Sequence, residues 1–273
     1  MTIDLELNDL TLKSIIELVY KHTGITMSDK KKSLLQSRLR PRLRELSLGS
    51  YEAYISYLSS HKEETDSFID LVTTNETFFF RTQRVWDYFN QKFLPEWFKK
   101  NPNETLRMWS GASSSGEEVY SLVISLLEFK AKNPGFKFEL VASDISKEIL
   151  REASAAIYGA RSVEGLKKYN PEWFAKYIKT HESSWTVIDE VKKNVSFQCH
   201  NLFNGPLKKN YFDIVFLRNV MIYFNDVDQE KVLGFMSESL KSGGVLALGE
   251  SESISRLKSK FEFVEPLVYA NNK

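Results

Sequence analysis

Three apolar runs in the sequence end on, or are interrupted by, side chains that can bind a ligand. Asp144 closes "FKFELVASD", Asn201 and Leu202 follow "NVSFQCH", and Arg218 with Asn219 stands inside the otherwise apolar "YFDIVFLRNVMIYF". A fourth stretch, "WSGASSSGEE" from Trp109 to Glu118, is built of small residues that let backbone approach a ligand closely. An acid placed like Asp144 can accept hydrogen bonds from both hydroxyls of a ribose. The amide of Asn201 can read an adenine edge while Leu202 packs on the ring, and Arg218 with Asn219 is left to be placed. The small-residue loop does not match G-x-G-x-x-G, and Glu117 with Glu118 would repel a pyrophosphate. A ligand carrying hydroxyls and positive charge suits it better; S-adenosylmethionine has a ribose, an ammonium group and a sulfonium, and no phosphate. Plainer readings stand beside these: two acids complementing a helix N-terminus, and Asp144 as the N-cap of a helix beginning near Ser146.

A fifth stretch, "TTNETFFFRTQRVWDYF" from Thr73 to Phe89, sets Asn75, Thr77 and Arg81 among aromatic residues. Phe78, Phe79, Phe80, Trp86, Tyr88 and Phe89 read as core. The polar three cost free energy there unless they are hydrogen-bonded or used.

Something must hold these places together. From Leu106 onward, short apolar runs alternate with helical patterns: "TLRMWSG", helix "GEEVYSLVISLLEFKAKN", "FKFELVASD", helix "SKEILREASAAIY", "NVSFQCHNL", "YFDIVFLRN", helix "DVDQEKVLGFMSESLKSGG" and "VLALGES". Such alternation predicts an α/β fold with a doubly wound, mostly parallel sheet, whose ligands bind outside the carboxyl ends of the strands. "KFEFVEPLVYANN" adds a strand pair at the sheet edge. The excursion between Tyr158 and Asn194 contains "WFAKYIKTHESSWTVIDEVKKN", two alternating runs about Glu182-Ser183-Ser184 that predict a β-hairpin.

The first seventy residues read as helical. In "MSDKKKSLLQSRLRPRLRELSLGS", Ser28 is the expected N-cap, leucines 34, 35, 39, 43 and 46 form the apolar stripe, and Pro41 is expected to kink or divide the helix. "SYEAYISYL" and "EETDSFIDLVTTNETFFF" continue the helical pattern. Lys30, Lys31, Lys32, Arg38, Arg40, Arg42 and Arg44 face only Asp29 and Glu45, so the stretch is either a solvated basic face or a dock for an acidic partner. The expected division is a helical domain over 1–74, a linking segment over 75–105, and an α/β domain over 106–273 with an insert at about 170–193.

With 273 residues, 42% of them hydrophobic and 27% charged, the chain can bury a sizeable core, and its net charge of +1 argues against a surface made wholly for nucleic acid or anionic membrane. One cysteine, Cys199, excludes a disulfide framework. The N-terminus has no signal-peptide pattern, and no apolar run reaches the ~20 residues of a membrane span. A cytoplasmic protein is expected.

Taken together, "TTNETFFFR", "WSGASSSGEEVYSL", "ASDISKEIL" and "FDIVFLRNVMIYF", with "LKSGGVLALGESE" behind them, resemble the CheR family of chemotaxis receptor glutamate methyltransferases, over nearly the whole chain. Departures are Phe78, where the family more often has a small residue, and "RTQRVW", which replaces an acidic residue and proline. The resemblance implies a class I S-adenosylmethionine methyltransferase domain preceded by a small all-helical domain. It implies transfer of methyl to glutamate γ-carboxylates on the cytoplasmic helices of chemoreceptors, with S-adenosylhomocysteine as product. By motif, Asn75, Thr77, Arg81, Glu117, Asp144, Asn201, Leu202, Arg218 and Asn219 would contact the cofactor, and Arg81 and Tyr223 would lie nearest the methyl. Arg38, Arg40, Arg42 and Arg44 would face the receptor, and the insert would correspond to a β-subdomain that in some members grips a receptor tail peptide. A monomer that neither binds nucleic acid nor enters a membrane is implied. Two other readings share the cofactor site: a methyltransferase of RNA or a small molecule, and a non-catalytic binding module. Labelling of receptor fragments against RNA separates the first, and isothermal titration with S-adenosylmethionine and its demethylated product tests the second.

Overall fold

A computed structural model describes residues 6–273. The chain forms two compact units, the first ending at Thr74 and taking in Tyr223–Asp228, the second made of Asn75–Ile222 and Gln229–Lys273.

In the first unit, helix α1 (Asp9–Thr23) starts where the Asn8 side chain accepts the Thr11 N–H, and it stops at Gly24, whose φ of 75° suits a residue without Cβ. Helix α2 (Lys32–Glu45) is entered through a 3-10 turn at Asp29–Lys31, and Ser28, the expected cap, makes no capping bond. Pro41 lies inside α2, which runs through it undivided. The lost backbone bond is outweighed by Leu35, Leu39 and Leu43, one stripe that is fully buried, each worth roughly 1.5–3 kcal/mol. Helix α3 (Tyr51–Ser60) is capped by Ser50, and α4 (Glu64–Val72) completes the layer. The helical pattern read onward through "TTNETFFF" does not continue: α4 ends at Val72, where the Arg38 guanidinium takes the Val72 and Thr73 carbonyls at 2.9 and 2.8 Å. These helices close on a core that includes Ile15, Val19, Leu39, Tyr54 and Phe68.

The second unit opens with α5 (Gln83–Tyr88), which passes through a π-helical turn at Phe89–Phe93 into α6 (Leu94–Lys100). The segment expected to be a linker is thus packed structure, with Phe79, Phe80, Trp86, Phe89 and Leu94 in the core. Then follow β1 (Thr105–Gly111), α7 (Glu117–Lys132), β2 (Lys137–Asp144) and α8 (Lys147–Ala155). The excursion contributes β3 (Ile157–Tyr158), α9 (Ala160–Tyr169), α10 (Pro171–Tyr177), β4 (Ile178–Thr180), β5 (Trp185–Val187) and α11 (Asp189–Lys192). The chain ends with β6 (Ser196–Cys199), β7 (Phe212–Leu217), α12 (Asp226–Ser239), β8 (Leu240–Leu248), β9 (Phe261–Glu265) and β10 (Val268–Asn271).

The large sheet has the order β6-β2-β1-β7-β8-β10-β9. Its first five strands pair in parallel, and β10 and β9 add the expected antiparallel edge. Winding proceeds outward from β1 to β6 and then restarts at β7 on the other side, so the switch point lies between β1 and β7. The hairpin β4–β5 forms with β3 a second, three-stranded antiparallel sheet. "WFAKY", read as strand, is helical instead: Pro171 sits at its first turn and the Asn170 side chain caps it through the Trp173 N–H. No described helix is long and apolar enough to cross a membrane.

Candidate active site

The residues singled out on the second unit gather at the carboxyl ends of β1, β2, β6 and β7, joined by two sets of hydrogen bonds. The first set is centred on Asp144, the last residue of β2, which is 5% exposed. Its Oδ2 accepts the Ser114 N–H at 2.9 Å and its Oδ1 the Ser146 N–H at 3.1 Å. Asp144 does not cap α8; the Ser146 hydroxyl does, accepting from the Ile149 N–H. The Ser114 hydroxyl donates to the Asn75 carbonyl at 3.0 Å, bringing the aromatic-rich segment to the loop after β1. On the other flank the Asp144 carbonyl accepts the His200 N–H at 2.9 Å, which places Asn201 and Leu202 alongside. The Asn201 Oδ1 caps a 3-10 turn through the Phe203 N–H, and Leu202 is buried.

The second set is centred on Arg218. Its guanidinium, 2% exposed, donates Nη1 to Glu118 Oε2 and Nη2 to the Arg81 carbonyl, both at 2.8 Å. Glu118 also accepts from the Ser110 hydroxyl at 2.9 Å. The Arg81 carbonyl takes a second bond from the Trp86 indole at 2.9 Å, and its Nη1 donates to the Glu76 carbonyl at 3.1 Å. Arg81 is therefore held by its backbone while its half-buried side chain lies over the exposed Phe78 ring, 5.6 Å away. Asn219, with a left-handed φ of 62°, and Thr77 are half-buried.

Glu117 is 2% exposed and accepts from the Ser115 hydroxyl at 2.6 Å. Burial pushes its carboxyl above the usual range, with the Ser115 bond opposing. Its bond stays within the loop, whereas Glu118, not among the expected cofactor contacts, makes the ion pair with Arg218. Ser114 was also passed over, since its bond to Asp144 uses a backbone N–H that every residue type offers.

The small-residue loop earns its composition by geometry. Ala112, Ser114 and Gly116 have φ of 56°, 50° and 91°, a left-handed winding in which the Ser114 N–H meets Asp144 and the Ser113 N–H the Ser143 carbonyl. The Ser113 hydroxyl is buried and has no hydrogen-bond partner among the described residues, beside the N–H that Asp144 accepts. A buried acid with an orphaned hydroxyl beside it fits a polyhydroxylated, cationic ligand such as S-adenosylmethionine.

The other candidates belong to the first unit. Tyr223 ends a 3-10 turn, and its carbonyl accepts the Thr26 N–H at 2.9 Å. Arg42 is bound to Glu64 through Nε and Nη2, at 3.0 and 2.6 Å, and to Glu45 at 2.8 Å. Arg38 is spent on the end of α4, Arg40 is half-buried, and Arg44 is exposed.

Comparison with known proteins finds relatives over nearly the whole chain. Residues 75–269 match the model described as "CheR methyltransferase, SAM binding domain", and residues 10–73 match "CheR methyltransferase, all-alpha domain". A chemotaxis protein methyltransferase of Borreliella burgdorferi is 34% identical over 270 residues, 96% of this chain and 94% of that protein. Its counterpart in Escherichia coli K12 is 35% identical, covering 100% of this chain and 94% of that one. Chemotaxis protein methyltransferase 2 of Vibrio cholerae is 36% identical over 89% of this chain and 85% of its own length.

Proposed function

The chain belongs to the CheR methyltransferase family, and on that premise we propose that it esterifies glutamate γ-carboxylates on the cytoplasmic helices of chemotaxis receptors. It is an S-adenosylmethionine-dependent methyltransferase of chemotaxis; the glutamate substrate and the receptor are the proposal. The observation that carries the reading is the convergence of the Asp144 and Arg218 hydrogen-bond sets on the strand ends at the β1/β7 switch point.

Asp144 would hold the ribose hydroxyls, Asn201 and Leu202 the adenine, and Asn75, Thr77, Glu117 and Asn219 would complete the enclosure. Arg218, already bonded to Glu118, contributes by fixing the Arg81 backbone. When bound, the cofactor supplies a methyl group on a sulfonium, an activated leaving group. A glutamate with a reference pKa of about 4.3 is ionised at neutral pH, so the chain need supply no general base. Its task is to strip water from that carboxylate and aim it. The Arg81 guanidinium would hold a carboxylate oxygen without protonating the nucleophile. Orientation of this kind is worth up to ~7–11 kcal/mol in well-aligned systems.

Incubation with labelled S-adenosylmethionine and receptor membranes should give label that is released by mild base, as an ester is. Arg81→Ala should lower that transfer by roughly 10²-fold or more with an unchanged unfolding midpoint. Base-stable label would remove the glutamate ester, and an unchanged rate in the variant would remove the role of Arg81.

A further inference from the structure

Glu252 lies four residues past the end of β8 and is 5% exposed, yet it has no cationic partner among the described residues. Its carboxylate is satisfied entirely by backbone. Oε2 accepts the N–H groups of Asn219 and Gly249 at 2.8 and 2.7 Å; Oε1 accepts those of Val220 and Met221 at 2.8 and 2.7 Å. Three of the four donors are consecutive and begin the loop after β7, at a residue held in the left-handed region. One buried anion thus ties the loops that leave two adjacent parallel strands. Gly249 closes the arrangement: a Cβ there would lie 2.7 Å from Asn219 Nδ2, 2.9 Å from Asn219 N and 2.9 Å from Glu252 Oε2. A side chain there fits only if the Asn219 loop or the Glu252 carboxylate shifts.

We propose that Glu252 is the positioning residue of the cofactor site, its two oxygens holding Asn219–Met221 in the conformation that presents Asn219 to the ligand. This rests on the reading of Asn219 as a cofactor contact given above. A buried carboxylate is a costly means of fixing a loop, because desolvation must be repaid by every donor it meets. Burial alone disfavours the ionised form, and the four N–H groups oppose that shift. The arrangement also requires acceptor capacity on both oxygens. A glutamine of the same shape keeps one and turns an NH₂ group toward two N–H donors, losing two bonds and adding a repulsion.

The test compares wild type, Glu252→Gln and Asn219→Ala by amide hydrogen exchange and by titration calorimetry with S-adenosylhomocysteine. In Glu252→Gln, exchange at residues 219–221 should rise by at least ~10-fold while the β7 and β8 amides stay protected, and affinity should fall by about 10-fold or more. Wild-type exchange at 219–221 in a folded Glu252→Gln protein would overturn the proposal. So would faster exchange with unaltered affinity if Asn219→Ala does weaken binding. Unaltered affinity in Asn219→Ala itself would instead show that the reading of Asn219 had failed, leaving the anchoring of the loop to stand on exchange alone. Should Glu252→Gln not fold, Gly249→Ala, which crowds the same amide and the same oxygen from the other side, is read by the same two measurements.

Discussion

His200 is half-buried, its backbone N–H bonded to the Asp144 carbonyl and its ring set edge-on to Trp109 with 5.7 Å between centroids. Burial lowers its pKa below the ordinary 6.5, a backbone bond involving Gly205 acting the other way. The sign of the consequence follows from proton counting. Above pH 6.5 both folded and unfolded chains carry a neutral imidazole, and the group contributes nothing. As pH falls through 6.5 the unfolded chain binds a proton that the folded one refuses, so stability declines until the lower folded pKa is passed. His22, also lowered by burial, acts in the same direction from the helical unit. His200→Gln should therefore show a smaller drop in unfolding midpoint between pH 7.5 and 5.5 than wild type, measured by thermal melts across buffers. His22→Gln should remove a separate portion. Equal slopes in wild type and His200→Gln would show that the imidazole is not desolvated as its surroundings suggest.

At the scale of elements, the aromatic segment that carries Asn75, Thr77 and Arg81 is locked by α9 and α7. The Phe79 N–H donates to the Ser162 carbonyl and the Phe80 N–H to the Ser121 hydroxyl, both at 3.0 Å, and the Phe80 ring stacks on Tyr169 at 4.3 Å. Gly165 makes the contact with α9 achievable, since a Cβ there would fall 1.9 Å from the Phe79 carbonyl oxygen. Gly165→Ala must push the segment away by an ångström or more. It should cost roughly 1–3 kcal/mol of stability and about 10²-fold in methyl transfer, read by denaturant unfolding and initial rates. A wild-type turnover number would mean that the position of Arg81 does not depend on this packing. Little in the sequence announces Gly165, because a glycine inside a helical pattern takes its meaning from a partner the chain brings up by folding. The pair Arg218–Glu118 is hidden for the same reason, being separated by 100 positions. Strand ends were legible because an apolar run stopping on Asp144 or Arg218 is a local signal. Helix ends were less so: Ser28 has capping chemistry without a capping bond, and α4 is stopped by Arg38, a residue on another helix.

At the scale of the whole molecule, a net charge of +1 hides an uneven distribution, and the basic stretch over 30–44 does two different things. Arg38 and Arg42 are internal fastenings. Arg42 neutralises Glu64, which is 2% exposed and also accepts from the Tyr54 hydroxyl at 2.9 Å, so Arg42→Glu would leave an uncompensated buried carboxylate at a cost of about 3–5 kcal/mol. Loss of receptor methylation in such a variant would report loss of the helical unit and say nothing of docking. Lys30, Lys31 and Arg44 are exposed, and changing them leaves that network intact. If the basic face steers an acidic receptor helix, Lys30→Glu, Lys31→Glu and Arg44→Glu together should raise the Michaelis constant for receptor several-fold at low salt. The difference should shrink as ionic strength brings the Debye length to about 8 Å and below. The unfolding midpoint and the affinity for S-adenosylhomocysteine should be those of wild type, since neither depends on exposed charge in the helical unit. A triple variant whose Michaelis constant matches wild type at every salt concentration would return these side chains to ordinary solvated surface. Receptor selection would then have to come from elsewhere, with the three-stranded sheet of β3, β5 and β4 the next element to alter.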